Sequence, residues 1–339
     1  MRLNDDVAEN TRLTRWAELL PRAPQQLGGV HETDAELVPL GDGRLLALTV
    51  DTVAEEIEHG LYRNPTTAGR IAVTAALSDL AAVGAETIGL LLSVTLPGRD
   101  AEATQEAVAR GVAEAAGQAG TWVLGGDTNE GPALSIGCSA AGLVPKESVL
   151  TRMGARPGER VFVTGPLGLG AARAAAAFLA EPSLLPEEDF RPPCRLAHGR
   201  ALRGVASAVM DTSDGLLATL DQLARLNGIA IRLTRPATEL LHPRAAAAGQ
   251  RTGFSPVALL GVLHGEFELA FTVPESRRAA LARAAALLDW APLEIGIVEP
   301  GRGIFAGDQP VDGARLRNLF SECRRDPASY AAALREMTT

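Results

Sequence analysis

Cysteines, histidines and aromatic residues are all scarce in this 339-residue chain, and each scarcity removes a class of function. Three cysteines, Cys138, Cys194 and Cys323, are odd in number and far apart, which argues against a disulfide framework or a zinc knot and fits a reducing cytoplasm. Five histidines (His31, His59, His198, His242 and His264) are scattered without metal-ligand spacing, so none is assigned a catalytic role, and His198 is expected on a solvated helix face. Aromatics make up only 4% and the net charge is -9, which argues against a nucleic-acid partner, since base stacking and polyanion binding both go unserved. There is no G-x-S-x-G elbow for nucleophilic hydrolysis. The run Thr164-Gly165-Pro166-Leu167-Gly168-Leu169-Gly170 lacks the Gly-Lys-Ser/Thr ending of a P-loop, so Gly165 to Gly170 read as a structural turn. Met1 to Trp16 holds no apolar core, and longer apolar runs are broken by Asp, Gly or Thr, so neither an export nor a membrane segment is expected.

Alanine, glycine and aliphatic residues dominate instead, as suits tightly packed helix-on-sheet layers, and the length favours two α/β domains over one. Glu36 to Val50 reads as a hairpin turned by Gly41-Asp42-Gly43. A helix is expected over Ile71 to Val83, a strand over Thr87 to Leu96, a helix over Glu102 to Ala119, and strands over Thr121 to Gly126 and Ala133 to Val144. Pro145 to Glu159 breaks the periodicity and reads as a linker. Beyond it come a strand at Arg160 to Thr164, a helix, a Pro-rich loop from Glu181 to Pro193, a further helix, and the segment Met210 to Gly215. Leu216, Leu220 and Leu223 share one face of a helix closed by Asn227-Gly228. Strands follow at Ile229 to Leu233, Phe267 to Val273 and Leu293 to Val298. Phe320 to Thr339 is expected to form an amphipathic helix packed on the core.

Chemistry concentrates in carboxylates that end buried runs. Asp79 sits in AALSDLAAVGA, apolar on nearly every side, where an unpaired carboxylate costs several kcal/mol and calls for a cation. Asp51 closes LLALTV, Asp127 closes TWVLGG and Asp211 closes GVASAVM. Singly, each reads as a helix cap or turn residue. Jointly, converging carboxylates with few histidines are the ligand set of a hard cation such as Mg2+. Gly125-Gly126-Asp127-Thr128 lets the backbone approach a phosphate, and Asp211-Thr212-Ser213-Asp214-Gly215 puts hydroxyls and carboxylates at a helix start.

These segments, in this order, resemble thiamine-monophosphate kinase and the wider PurM-like family of aminoimidazole ribonucleotide synthase. The matching stretches are Thr33-Asp34-Ala35, Thr49-Val50-Asp51-Thr52, Leu77 to Ala85, Gly125 to Thr128, Arg152 to Gly158, Val163-Thr164-Gly165 and Met210 to Leu216. The resemblance implies a two-domain fold of α/β (α+β type), divided as 1–148 and 149–339, whose N-terminal mixed sheet pairs with its twin in a homodimer. It implies ATP and Mg2+ as cofactors and a small-molecule acceptor as partner. Carried over by motif, Asp34, Thr49, Asp51, Asp79, Asp127, Asp211 and Asp214 would hold metal, with Asp127 and Asp211 as the catalytic carboxylates. Gly126, Asp127, Arg152 and Ser213 would contact ATP.

Departures from the pattern cluster on the acceptor side. Glu32-Thr33-Asp34 stands where the family has Gly-Asp-Asp. Glu58 replaces a family histidine, with His59 beside it. Leu263-His264-Gly265-Glu266-Phe267-Glu268-Leu269 stands where the family reads Gly-Gly-Glu-Asp-Tyr-Glu-Leu, so Gly265 replaces a substrate-contacting Glu. Glu58, His59 and Glu266 are the candidate acceptor contacts, and the alternative reading of the tail is that Phe320 closes this pocket as family aromatics do. The reading is a Mg-dependent phosphotransferase with a rewritten acceptor pocket. A synthetase that activates an amide oxygen with ATP and a non-catalytic nucleotide-binding paralogue stand as alternatives.

Overall fold

The computed structural model describes residues 6–261 and 264–337; Leu263 of the altered acceptor motif lies outside them. Helix α1 (Ala8–Leu19) precedes β1 (Glu36–Pro39) and β2 (Arg44–Thr52), the expected hairpin, turned by Gly41 and Gly43 at φ 85° and 86°. A short α2 (Ala54–Glu58) leads to α3 (Pro65–Ala82), which starts six residues before the expected Ile71. Asn64 caps it, accepting from the Thr66 amide at 2.9 Å, and Pro65 supplies a preset φ at the first helical position. Then come β3 (Glu86–Pro97), α4 (Ala101–Ala119), β4 (Val123–Gly131) and β5 (Ser135–Pro145). The five strands form one mixed sheet in the order β1-β2-β5-β3-β4, with only β3 and β4 parallel.

One expectation needs correction here. Strand β4 does not stop at Gly-Gly-Asp but runs through it to Gly131 at the sheet's edge. A Cβ on Gly126 would lie 2.4 Å from the Leu92 carbonyl oxygen, so the glycine serves close pairing with β3 rather than chain reversal. Glycines also explain why α3 has no polar face. Added Cβ atoms on Gly69, Gly111 and Gly199 would strike the carbonyls of Val108, Thr66 and Ala81 at 2.5, 1.8 and 1.9 Å. Helix α3 is thus pressed backbone to backbone against α4 and, through Gly199, against the next domain.

The chain crosses to a second sheet between Pro145 and Arg160, as the linker expectation has it. That half contains β6 (Arg160–Val163), α5 (Leu169–Phe178), α6 (Leu196–Leu202), β7 (Ala208–Asp211), α7 (Leu216–Asn227), β8 (Ala230–Leu233), α8 (Ala237–Leu240) and α9 (Pro243–Thr252). It continues with α10 (Pro256–Gly261), β9 (Leu269–Val273), α11 (Arg278–Leu287), β10 (Leu293–Glu299), β11 (Gly303–Ala306), β12 (Gln309–Val311), α12 (Gly313–Glu322) and α13 (Pro327–Glu336). The seven strands run in the order β12-β11-β8-β10-β6-β9-β7. Leu216, Leu220 and Leu223 of α7 are fully buried together, and Gly228 ends that helix in the left-handed region at φ 64°. The expected single tail helix is two: Arg324 and Arg325 take positive φ, and Asp326 caps α13 by accepting from the Ser329 amide.

His198 is not on a solvated face. Its ring meets Trp290 edge-on at 4.9 Å and its Nδ1 is buried without a hydrogen bond, so burial, with Arg195 beside it, pushes it down to about 4. The glycine run 165–170 is structural, as expected: Gly168 takes φ 92° before α5, and a Cβ on Gly170 would lie 2.2 Å from the His264 carbonyl oxygen. Among the described residues no helix is long and apolar enough to cross a membrane.

Candidate active site

The two halves meet where α3 packs against β7 and α6. Asp79, in the last turn of α3, and Ser78 beside it point into this seam. Ser78 Oγ donates to Asp211 Oδ2 at 2.6 Å, and Asp211 is the last residue of β7. From the first sheet, β2 brings Thr49 and Asp51, whose side chains share the inward face by strand alternation; Thr49 Oγ1 hydrogen-bonds Asp79 Oδ2. Asp34 arrives from the loop before β1. Its side chain is wholly enclosed and accepts from Arg152 Nη2 at 2.9 Å, while Arg152 is itself tied to the Glu32 carbonyl by its amide at 2.9 Å. Ser213 Oγ donates to Asp211 Oδ1 at 2.8 Å from the turn into α7.

Asp34, Asp79 and Asp211 each present an oxygen within 4.8 Å of the others. They line a cavity of about 290 Å3 that sets seven carboxylates (Glu9, Asp34, Asp51, Glu56, Asp79, Asp211 and Asp214) against one guanidinium, Arg152, with Tyr62 and His264 also in its wall. Burial, with that imbalance adding, raises Asp51, Glu56, Asp79, Asp211 and Asp214. Burial, with Asp214 and Asp34 adding, pushes Asp51 up to about 6. Burial and Asp34 push Asp211 to about 7, burial and Glu9 push Asp214 to about 6, and Asp79 is driven up by burial and three neighbouring aspartates. Asp34 Oδ2 and Asp51 Oδ2 are buried and accept no hydrogen bond. Oxygen donors, mutual repulsion and orphaned buried acceptors together fit a divalent hard cation, because such an ion relieves all three at once.

A second cavity of about 210 Å3 shares Glu9, Glu56, Asp214 and His264 with the first. Its far wall is aromatic: His59 meets Phe320 edge-on at 5.1 Å, and Phe320 packs with Tyr330 at 5.2 Å and Phe178 at 6.5 Å. Arg12, Arg317 and Arg325 also line it. An apolar, partly charged chamber opening beside an acidic one can hold an organic acceptor next to a metal-borne phosphate chain.

The sequence-predicted residues divide into two groups. Asp34, Thr49, Asp51, Asp79, Arg152, Asp211, Ser213 and Asp214 surround the acidic cavity or bond to its wall, and His59 lines the aromatic one. Gly126 and Asp127 do not join them within one chain. Asp51 pairs across the sheet with Cys138, Cys138 with Leu92, and Leu92 with Gly126, three strand spacings or about 14 Å away. Asp127 is exposed there, accepting from Asn129 Nδ2 at 2.8 Å. Glu58 is exposed and lines neither cavity. Glu266 is buried away from both, its Oε2 accepting from the Gly168 amide at 2.6 Å, with burial pushing its carboxyl up to about 8. The reason lies in Gly265: a Cβ there would lie 2.0 Å from the Thr212 carbonyl oxygen and 2.3 Å from that of Ser213, so this strand lead-in is clamped onto the Asp211 turn. Sequence reasoning missed Glu56, Tyr62 and His264. The only signal for them was spacing from recognised motifs, which does not show where a side chain points.

A family profile described as "AIR synthase related protein, N-terminal domain" matches residues 32–144. Thiamine-monophosphate kinase of Salmonella typhimurium is 32% identical over 256 residues, covering 73% of this chain and 77% of that protein. The Halobacterium salinarum enzyme of the same name is 35% identical over 241 residues, covering 70% and 80%. Among solved structures, AaThiL complexed with AMPPCP and TMP matches at a TM-score of 0.74 with 25% identity, covering 92% of this chain and 97% of that one. On this extent of identity and coverage, the chain belongs to the thiamine-monophosphate kinase family.

Proposed function

We propose that the protein is a Mg-dependent kinase that transfers the terminal phosphoryl group of ATP to thiamine monophosphate, giving thiamine diphosphate and ADP. The carrying observation is the pair of contiguous cavities, one acidic with orphaned carboxylate oxygens, the other aromatic. Asp34, Asp51, Asp79, Asp211 and Asp214, with Thr49, would hold Mg2+, and Arg152 and Ser213 would contact the nucleotide. The metal, when bound, neutralises phosphate charge that these carboxylates would otherwise repel. The chain's own part is positioning. Arg152, anchored on Asp34, offers its guanidinium at the acidic wall, and Ser213, fixed on Asp211, opens the α7 turn toward it. The aromatic chamber orients the acceptor and keeps water from the terminal phosphate.

The active species in this reading is a homodimer, with domains 1–148 and 149–339 in each copy. Leu48 (40%), Val50 (70%), Leu91 (52%), Trp122 (74%) and Leu124 (59%) are exposed on or beside the first sheet, more apolar surface than a solvated strand face carries. Gly126 and Asp127 lie at the free edge of that sheet, and we assign them to the nucleotide in the assembled dimer. The test is calorimetric titration with ATP, with and without Mg2+, alongside product analysis on thiamine monophosphate. Mg-dependent binding with thiamine diphosphate formed is expected. Free phosphate without a phosphorylated acceptor would favour the synthetase alternative, and no Mg-dependent binding would overturn the reading.

A further inference from the structure

One carboxylate at the junction of the two cavities has no part in the reading above. Glu56, in α2, lines both chambers, and its Oε2 is buried without accepting a hydrogen bond. Burial above all holds its carboxyl up at about 7. Its neighbours Tyr62, His264, Glu55 and Glu9 are already engaged. Tyr62 Oη and His264 Nε2 hold each other at 2.8 Å, and burial, with Arg173, keeps that imidazole neutral near 3. The adjacent Glu55 lies 3.7 Å from Arg325 and 3.9 Å from His59, and Glu9 lies 3.9 Å from Arg317. Among the described residues, only Glu56 of these three lacks a cationic partner. Across the chamber stand the rings of His59, Phe178, Phe320 and Tyr330.

A bare, desolvated carboxylate facing aromatic walls destabilises the empty site, and a flat cation is the ligand that relieves it, satisfying carboxylate and ring faces together. We propose that Glu56 is a specificity-determining residue of the acceptor cavity, its carboxylate set against the positive charge of a cationic aromatic ring in the acceptor. The assignment rests on the acceptor reading above and adds to it the residue that selects for charge.

The test uses the full chain and two probes that differ by one charge: thiamine monophosphate and its 3-deaza analogue, in which the cationic thiazolium becomes a neutral thiophene. Binding is measured calorimetrically without ATP for the wild type, Glu56→Gln and Glu56→Asp. Glu56→Gln should weaken thiamine monophosphate about tenfold, or about 1.4 kcal/mol, while changing the neutral analogue less than about twofold. Glu56→Asp should restore part of the preference, and an unchanged or raised melting temperature in Glu56→Gln shows that the variant is folded. Equal weakening of both probes, or none, overturns the assignment and leaves the kinase reading intact. A changed Mg2+ requirement with both probes affected alike also overturns it, making Glu56 a metal ligand. A wild type that binds neither probe overturns the acceptor reading, and this assignment with it.

Discussion

Two strands of the first sheet carry an aspartate after an apolar run, and the two aspartates live in opposite surroundings. On β2, Asp51 faces Asp79 under the cover of α3, with an orphaned oxygen and a raised pKa. On β4, Asp127 stands in solvent at the sheet's edge, bonded only locally to Asn129. The difference teaches that a carboxylate at the end of an apolar run signals a site, but strand order decides whether one chain completes it. Here the order β1-β2-β5-β3-β4 puts the two motifs at opposite sides of a shared ladder.

The contrast is drawn most sharply by paired mutants. Asp79→Asn should weaken Mg-dependent ATP binding at least about a hundredfold while raising the melting temperature of the metal-free protein, because a repelled buried charge is removed. Asp127→Asn should move folding stability by no more than about 0.5 kcal/mol yet depress turnover, which calorimetry and a coupled ADP assay separate. Loss of stability in the second mutant, or none of the binding effect in the first, would erase the distinction. Next in size, Gly265→Ala should destabilise by about 3 kcal/mol or more in urea unfolding, since its methyl has two carbonyl oxygens in its way. Leu124→Glu, on the exposed edge strand, should shift sedimentation from dimer to monomer with the monomer still folded. The last is a pH effect. Glu266 is raised by burial to about 8, so its contribution to stability is complete below its unfolded value near 4.5 and is lost as pH rises through 8. Glu266→Gln should therefore flatten the fall in melting temperature between pH 5 and 8, against a wild-type slope of at most about 1.4 kcal/mol per pH unit.

Periodicity and turn chemistry carried much of the first sheet, because its helices and strands are long and their ends are marked by Gly, Pro and Asp. They failed where burial overrode local preference. Strand β4 passes through Gly125 and Gly126 because pairing with β3 brings Gly126 close to the Leu92 carbonyl, and α3 begins at Asn64-Pro65 rather than at the first run of large apolar residues. The carboxylates of the seam were legible because a buried Asp in an alanine-rich helix has no bland role at that depth. Glu266 was misjudged for the converse reason. A glutamate beside a recognised motif looks functional, but the backbone of Gly265 fixes the segment so that the side chain caps α5 instead. Glu56 and His264 carried no signal beyond their place in or near recognised motifs, since the residues around them come from α2, α12 and the second domain, far apart along the chain.

The contact of Gly199 with Ala81 reaches beyond packing. An α-helix of one domain there rests on the main chain of the other, with no side chain between to slide or repack. Such a joint resists sliding, so it braces the Asp79 and Asp211 halves of the seam against each other. Heat should then melt both sheets in a single calorimetric transition, and any opening that admits nucleotide must come from the segments outside the joint, α1 and the α12–α13 tail.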